Sequence, residues 1–183
     1  MKRVSSRSLR RAGKSLRTLL AATALFAGLT LSQSASAQLA CPQANSAGPP
    51  VVNSQHFFCG EINAQRQATG FHSRPGGHNP ATVTGTGAPQ PVGPAGIYNL
   101  TFFNITQGGN TAAKAISTMF PDACTQADVL AAIRNALANG VVADLQFTGP
   151  SGHHCQAGVP LASFNIKGSV DDAGRIVTAY PDY

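Results

Sequence analysis

The stretch Gln55-His56-Phe57-Phe58-Cys59-Gly60-Glu61-Ile62, followed by Gly70-Phe71-His72-Ser73, carries most of the information about this chain. The β-branched and aromatic content of residues 51–62 predicts a strand, and residues 69–73 predict a second short strand. The polar residues between them are enough for a hairpin-type return. Because side chains alternate along a strand, we expect the imidazoles of His56 and His72 to converge on one cleft.

A single helix is well marked further along the chain. Thr125 is a suitable N-cap, Asp128 follows three residues later as in a capping box, and Gly140 is suited to end the helix. Apolar residues recur between these ends at intervals of three and four, which predicts one buried stripe. They are Val129, Leu130, Ile133 and Leu137.

Strand patterns outweigh this helix in the rest of the chain. Four further strands are predicted from β-branched and aromatic content. They cover residues 97–105, 141–147, 161–167 and 175–180. An Asp-Asp-Ala-Gly turn at residues 171–174 joins the last two, whereas the proline and glycine content of residues 74–95 predicts an irregular, exposed segment. One helix among antiparallel strands indicates an α+β fold.

The beginning of the chain has the three-part layout of a secretory signal peptide. Residues 1–17 carry seven basic side chains and no acidic one, an apolar run follows over residues 18–31, and Ala35-Ser36-Ala37 offers a cleavage site. The alternative, an uncleaved membrane anchor, is disfavoured because the apolar run is short for a stable span. The expected organisation is a signal peptide (1–37), an entry segment (38–50) and one functional domain (51–183).

Removal of the signal peptide would change the charge of the chain. The full sequence has a formal net charge of +6, but residues 38–183 hold six basic and seven acidic side chains and balance at −1. The broad basic surface that usually marks nucleic-acid binding is therefore not expected, and contacts with a polyanion must be local. We expect a secreted or periplasmic protein that has no membrane attachment after cleavage.

The four cysteines all follow the predicted signal peptide. They are Cys41, Cys59, Cys124 and Cys155. Export to an oxidising compartment favours two disulfides, for which three pairings are possible. The sequence does not choose between them, although adjacency in the chain favours Cys41 with Cys59 and Cys124 with Cys155. No spacing among them suits a zinc ribbon.

Two histidines that face one cleft suit the cleavage of RNA by transesterification. The ribose 2′-hydroxyl is too weak an acid to attack phosphorus unaided, and the departing 5′-oxygen is too basic to leave without a proton. One neutral imidazole can accept the first proton and one imidazolium can supply the second, since both forms coexist near neutral pH. A lysine can offset the charge that grows on the phosphorane oxygens without a metal ion.

Three ordered segments resemble the EndoU ribonuclease family, including its bacterial toxin branch. The first is His-x-Phe-x-Gly-Glu at residues 56–61 followed by Gly-Phe-His at 70–72. The second, KAISTMFPD at residues 114–122, is similar to the Lys-x-x-Ser-Thr-x-Phe-Pro segment of the bacterial members. The third, IVTAYP at residues 176–181, is similar to the closing Thr-x-Tyr-Pro strand. Each segment is weak alone, whereas the ordered set is fairly specific.

The resemblance implies a fold, a catalytic set and a reaction. The fold would be two small antiparallel β-sheets with flanking helices, and the site would lie between them. His56 and His72 would form the acid–base pair, and Lys114 would be the cation that stabilises the transition state. The enzyme would be an endoribonuclease that uses no metal or other cofactor and leaves 2′,3′-cyclic phosphate and 5′-hydroxyl ends.

The resemblance also implies contacts with the substrate. Thr178 and Tyr180 would line the nucleotide pocket, with the Tyr180 ring supporting a ribose or base. Ser117 or Thr118 would bind the base or the phosphate, and their adjacency leaves that choice open. The partner would be RNA, single-stranded or in a loop, with tRNA as one candidate. The toxin branch implies a role against competing cells, for which an immunity protein is an open question.

Other residues suggest further hypotheses. Arg66 and Arg74 are candidate auxiliary phosphate contacts, and Glu61 either orients a histidine or is a plain strand-edge charge. A zinc site made from His78 and the His153-His154-Cys155 cluster is disfavoured, because a disulfide would consume the cysteine and adjacent histidines on a strand point opposite ways. The alternative from another class is a disulfide-stabilised binding module that keeps the fold but has lost turnover.

Overall fold

A computed structural model of the 183-residue chain describes residues 40–93, 96–155 and 162–183. The predicted signal peptide and the first two residues of the entry segment lie outside these ranges. The described part contains two four-stranded antiparallel sheets, one two-stranded ladder and two α-helices. The predicted α+β class, with small antiparallel sheets and flanking helices, is confirmed.

The elements follow one another along the chain in a simple order. They are α1 (Ser54–Cys59), β1 (Glu61–Ile62), β2 (Ala68–Thr69), a 3₁₀ turn (Pro75–Gly77), β3 (Val83–Thr84), β4 (Gln90–Pro91), β5 (Tyr98–Gln107), β6 (Asn110–Met119), α2 (Gln126–Asn139), β7 (Val141–Ala143), β8 (Gln146–Pro150), β9 (Asn165–Val170) and β10 (Ile176–Asp182).

The first sheet is organised around β5. This strand pairs along one edge with β6 and along the other with the short strands β3 and β4, one near each end. Its apolar side chains form a core with Phe71, Val83 and Met119. The strand predicted at residues 97–105 is confirmed, but β6 was not predicted. The Gly108-Gly109 pair, which turns β5 into β6, was the hairpin signal in the sequence.

The second sheet has the order β10-β9-β8-β7 and packs against α2. The single strand predicted at residues 141–147 is wrong, because the chain reverses at Asp144 and Leu145 to make β7 and β8. Both turn residues have positive φ (48° and 63°), as in the type I′ turn that forms the two-residue loop of a β-hairpin. The predicted hairpin around residues 171–174 is confirmed, and its strands β9 and β10 extend to Val170 and Asp182.

The helix predicted near the middle of the chain is confirmed as α2. The Thr125 side chain accepts from the backbone N–H of Asp128, the Asp128 carboxylate accepts in return from Thr125, and Gly140 follows the last turn. The buried face is rotated slightly about the helix axis from the predicted one. Ala132 and Ala136 are buried, whereas Leu130 and Leu137 are only partly buried. Small residues face β8, where the helix approaches the sheet closely.

The strand predicted over residues 51–62 is wrong in its central part, which forms α1. The Asn53 side chain caps this helix by accepting from the backbone N–H of His56. Phe57, Phe58 and Cys59 are all buried, a run that an alternating strand with one solvated face does not produce. Strand structure in this region is limited to β1 and to one parallel bridge between Val52 and Ile176.

The second predicted strand, at residues 69–73, is also shorter than expected. Only Ala68 and Thr69 pair with β1. Gly70 and Phe71 then adopt positive φ (71° and 58°), which ends the strand. From Phe71 onward the backbone bonds to α1 instead, as the N–H of His72 donates to the carbonyl of Phe57 over 2.8 Å.

Both disulfides favoured by adjacency are present. Cys41 is joined to Cys59 at the end of α1, and Cys124, just before α2, is joined to Cys155. Neither α1 nor α2, the two α-helices of the described ranges, has the length and apolar character needed to cross a bilayer.

The contact between α2 and β8 generates a prediction about stability. A Cβ atom on Gly149 would lie 2.0 Å from the carbonyl oxygen of Ala136 and 2.8 Å from the Cα of Gly140. We expect Gly149→Ala to lower the free energy of unfolding by about 3 kcal/mol, because backbone must move to relieve the clash. Urea denaturation followed by circular dichroism measures this change.

The matched control is Gly174→Ala in the β9–β10 turn. Gly174 has a φ of 73°, and a Cβ there would meet no atom within 4 Å. The expected cost is therefore only that of the left-handed backbone, about 1 kcal/mol. Equal effects of the two substitutions would show that helix–sheet packing at Gly149 does not limit stability.

Candidate active site

His56 lies in α1 and is held by a carboxylate. Its Nδ1 atom is 3.4 Å from Oε2 of Glu61, and Oε1 of the same carboxylate accepts from the Asn53 side chain over 2.9 Å. The hydrogen bond from His56 holds the pKa of Glu61 below its ordinary value of 4.5, so the carboxyl is ionised near neutral pH. Glu61 is thus the orienting partner of a histidine, and an ionised carboxylate stabilises a positive charge on the ring.

His72 has a different environment. The ring is buried, and its Nδ1 atom lies 3.0 Å from the backbone carbonyl of Thr118. A carbonyl only accepts hydrogen bonds, so Nδ1 carries a proton and Nε2 of the neutral ring keeps its lone pair. Burial, followed by the positive charges of Lys114 and His56, holds the pKa of His72 well below the ordinary 6.5.

The two imidazoles face one another as the sequence predicted. Their ring centroids are 5.8 Å apart. The predicted pair of strands does not cause this approach, which arises because the segment after β2 bonds directly to α1. The N–H of Phe71 donates to the carbonyl of His56 over 2.7 Å. Gly70 is required at this crossing, since a Cβ atom there would lie 2.2 Å from the same oxygen.

Lys114 is the half-buried cation next to His72. Its Nζ atom donates to the carbonyl of Gly70 and, over 3.2 Å, to Oγ of Ser117. Ser117 in turn donates to the carbonyl of Phe71 over 2.7 Å and lies 3.0 Å from Nδ1 of His72. Burial lowers the pKa of Lys114 from 10.5 to about 8.

An irregularity in β5 explains why Lys114 and Ser117 can share partners although they are three residues apart. On β5, Leu100 pairs with Ser117 and Phe103 pairs with Lys114. Leu100 and Phe103 are both buried, although side chains three positions apart on a regular strand would point to opposite faces of the sheet. Between them Phe102 has a φ of 51° and a 78% exposed side chain. Phenylalanine rarely adopts this conformation, and such strain concentrates at functional sites.

The remaining candidate residues complete the same cluster. Oγ1 of Thr178 lies 3.1 Å from Nε2 of His56, and the Tyr180 ring stacks on His72 with centroids 5.7 Å apart while 37% of Tyr180 stays exposed. Oγ1 of Thr118 donates to Asn99 over 3.2 Å. The seven residues that the sequence analysis assigned to catalysis or to the nucleotide pocket therefore lie together, where β6 of the first sheet meets α1 and β10.

The two arginines proposed as phosphate contacts lie elsewhere. Arg74 is buried, and its Nη2 pairs with Asp122 over 3.2 Å while its Nε donates to the Tyr98 hydroxyl over 2.6 Å, so both of these donors already have partners. The exposed segment predicted from residue 74 onward thus begins with a buried residue. Arg66 lies in the exposed turn between β1 and β2, and among the described residues no hydrogen bond or ion pair joins its side chain to the site.

Sequence patterns missed three polar groups that support this cluster, two side chains and one backbone carbonyl. Asn53 precedes His56 by three residues, which is the spacing of a helix N-cap, and was overlooked because a strand was predicted there. Asn99 is a buried amide inside an apolar strand, bonded to Thr118 and, over 3.0 Å, to the hydroxyl of Tyr183. The carbonyl of Gly70, which accepts from Lys114, carries no sequence signal.

The extra histidines lie apart from this cluster. His78 follows the 3₁₀ turn and is exposed, as are His153 and His154 next to the second disulfide. Within residues 40–93, 96–155 and 162–183, no three His, Cys, Asp or Glu side chains are grouped so that they could hold a metal ion.

Comparison with known proteins gives one match. A family model described as bacterial EndoU nuclease matches residues 50–183, which is most of the chain. Comparisons with curated proteins and with solved structures gave no significant match.

The partial burial of Lys114 and the irregularity at Phe102 generate a prediction that is independent of activity. Residues 38–183 contain only two lysines, Lys114 and the exposed Lys167. We expect Lys114 to titrate at about pH 8 in ¹³C NMR spectra of the lysine side chains. Phe102→Val should move this midpoint toward 10.5. A β-branched residue disfavours positive φ, so β5 would return to regular alternation and Lys114 would become more exposed.

Phe102→Gly is the matched variant, since glycine adopts positive φ freely and should keep the low midpoint. The Lys167 resonance serves as the internal reference in every spectrum. If Phe102→Val left the Lys114 midpoint unchanged, the backbone at residue 102 would have no role in placing this cation.

Proposed function

Since the chain belongs to the bacterial EndoU nuclease family, we propose that it is a secreted endoribonuclease that cleaves single-stranded RNA without a metal ion. The attacking group is the substrate's own 2′-hydroxyl, and the products carry 2′,3′-cyclic phosphate and 5′-hydroxyl ends. One observation carries the proposal: two imidazoles with centroids 5.8 Å apart have different Nδ1 partners, a carboxylate for His56 and a carbonyl for His72.

His72 is the general base in this proposal. A base must be unprotonated and must present a lone pair to the 2′-hydroxyl. The low pKa of His72 keeps the ring neutral, and the Thr118 carbonyl fixes the proton on Nδ1 so that Nε2 is free. The nucleophile is deprotonated as it attacks phosphorus, and the proton moves to Nε2.

His56 is the general acid. The Glu61 carboxylate accepts a hydrogen bond from Nδ1–H of His56, and its negative charge lies beside the ring. The Nε2 proton of His56 then passes to the departing 5′-oxygen. Before substrate binds, the Thr178 hydroxyl is the hydrogen-bond partner of Nε2 and orients it. The same residue type performs two roles because the surroundings differ, as is usual where an enzyme needs an acid and a base at one pH.

Lys114 offsets the charge that develops on the non-bridging oxygens. A cation placed in a water-poor cleft acts on this charge more strongly than one in bulk water. In the free protein Lys114 donates to Gly70 and Ser117, so Ser117 holds both Lys114 and His72 in place and is too buried to be an open docking point. Tyr180, half-exposed over His72, is the surface for the ribose or base.

The setting of the enzyme is part of the proposal. Two disulfides fit a protein that folds outside a reducing cytosol, and the predicted signal peptide supplies the route. A toxin role, with tRNA as a candidate target and an immunity protein as a partner, rests on the family resemblance alone.

The direct test uses oxidised protein (residues 38–183) and mixed RNA in excess EDTA, with product ends identified by mass spectrometry. We expect cyclic phosphate ends, and His72→Ala should lower kcat by about 10³-fold. His78→Ala is the matched control, because this exposed histidine lies outside the cluster. An oligonucleotide with a single 2′-deoxy residue at the cleaved position should resist.

Two results would contradict this proposal. Cleavage that appears only after a divalent metal is added would overturn the roles of the histidines and the lysine. Absence of cleavage across broad RNA substrates would favour the alternative, a binding module that keeps the fold.

The pH dependence of kcat/KM provides a separate prediction. His72 must be neutral to act as a base, and its pKa is lowered well below 6.5. The acidic limb of the profile should therefore lie below 6.5. Steady-state assays at constant ionic strength measure the limb. An acidic limb above pH 7 would be inconsistent with His72 as the base.

A further inference from the structure

One disulfide ends on the helix that carries His56. Cys59 is the last residue of α1, three positions after His56 and two before Glu61, and is fully buried. Its partner Cys41 is exposed and belongs to the entry segment. The bridge therefore ties the exposed beginning of the domain to the interior next to a candidate catalytic side chain.

The helix α1 needs such anchoring because it is short. Six residues make fewer than two turns, and helices of this length are not stable by themselves in water. Its beginning is fixed by the Asn53 cap, and its end is fixed by the disulfide and by the Thr82 hydroxyl, which donates to the carbonyl of Cys59 over 2.8 Å.

The same helix also positions the second histidine. The carbonyl of His56 accepts from Phe71, and the carbonyl of Phe57 accepts from His72. A shift at the end of α1 would therefore move His56 away from Glu61 and displace the segment that carries His72. Both members of the acid–base pair depend on one short helix.

The second disulfide has no comparable link. Cys124 and Cys155 join the beginning of α2 to the loop after β8, and among the described residues neither is hydrogen bonded to a histidine, Glu61 or Lys114. It closes a longer loop, with 31 rather than 18 positions between its cysteines. In the chain-entropy model the longer loop gives the larger stabilisation.

We propose that the Cys41–Cys59 disulfide is a positioning element of the active site and that RNA cleavage requires it, whereas Cys124–Cys155 contributes to stability alone. The proposal rests on the proposed function. Reduction by a dithiol would break the S–S bond, form two protein thiols and oxidise the dithiol to its disulfide. In a reducing cytosol the bridge is absent, so the nuclease would be inactive toward the RNA of the cell that makes it.

The experiment compares two double variants, Cys41→Ala/Cys59→Ala and the control Cys124→Ala/Cys155→Ala. Thermal unfolding and kinetics are measured on both, at a temperature where each is folded. We expect the first to lose about 10²-fold in kcat, because small misplacements of catalytic groups have effects of this size. The control should keep kcat although its melting temperature falls at least as far. The order of the activity losses is thus opposite to the order of the stability losses.

NMR of the histidine rings supplies a readout that does not depend on turnover. The chain has five histidines, and opening the first disulfide should shift the His56 and His72 resonances. Opening the second should shift His153 and His154, which neighbour Cys155, and leave the first pair unchanged. Spectra unchanged at His56 and His72 in the first double variant, with kcat retained, would overturn the proposal.

A redox titration of the unmodified protein covers the case in which the first double variant does not fold. Activity and folded fraction are followed in the same samples by fluorescence-based RNA cleavage and circular dichroism. Activity lost while the protein remains folded supports positioning, and activity lost only together with the fold overturns it. Oxidised protein that never cleaves RNA would instead count against the proposed function, and the histidine resonances would still test the positioning.

Discussion

The carbonyl groups at the end of a six-residue helix are the constraint on which the rest of the site depends. The last carbonyls of any helix lack partners within it. In α1 those of His56 and Phe57 accept the backbone N–H groups of Phe71 and His72, so one helix end fixes both histidine segments. The two sheets then contact the histidine segments from two sides. From the first sheet, β6 supplies Lys114 and the Thr118 carbonyl, and from the second, β10 supplies Thr178 and Tyr180.

Elements with local signals could be predicted from the sequence, and elements decided by distant contacts could not. The capping box and the terminal glycine were sufficient for α2, and the Asp-Asp-Ala-Gly turn was sufficient for the β9–β10 hairpin. The Phe57-Phe58-Cys59 run gave the wrong element, because a short buried apolar run does not distinguish strand from helix. Its structure is decided by a disulfide to residue 41 and by donors beyond residue 70, neither of which leaves a local pattern.

The same division holds for the site. The positions of the histidines and the lysine followed from motif order and family resemblance, but their chemical states did not. The neutral state of His72 comes from burial and from the positive charges of Lys114 and His56. Its tautomer is set by a carbonyl 46 positions further along the chain. Lys114 pairs with Phe103, which directly follows the left-handed residue Phe102 in the neighbouring strand. Arg74 was predicted to be exposed because it begins a segment rich in proline and glycine. In the fold its guanidinium instead pairs with Asp122 and donates to the Tyr98 hydroxyl.

The charge distribution explains why so much depends on these local arrangements. Residues 38–183 have a formal charge balance of −1, so no broad basic surface would steer the proposed RNA substrate, and binding would have to arise inside the cleft. One half-buried lysine meets this need better than several exposed ones, because its field is less screened by water where charge develops. The same burial lowers the pKa of Lys114 to about 8. The Gly70 carbonyl and the Ser117 hydroxyl accept from its ammonium group and hold it beside His72.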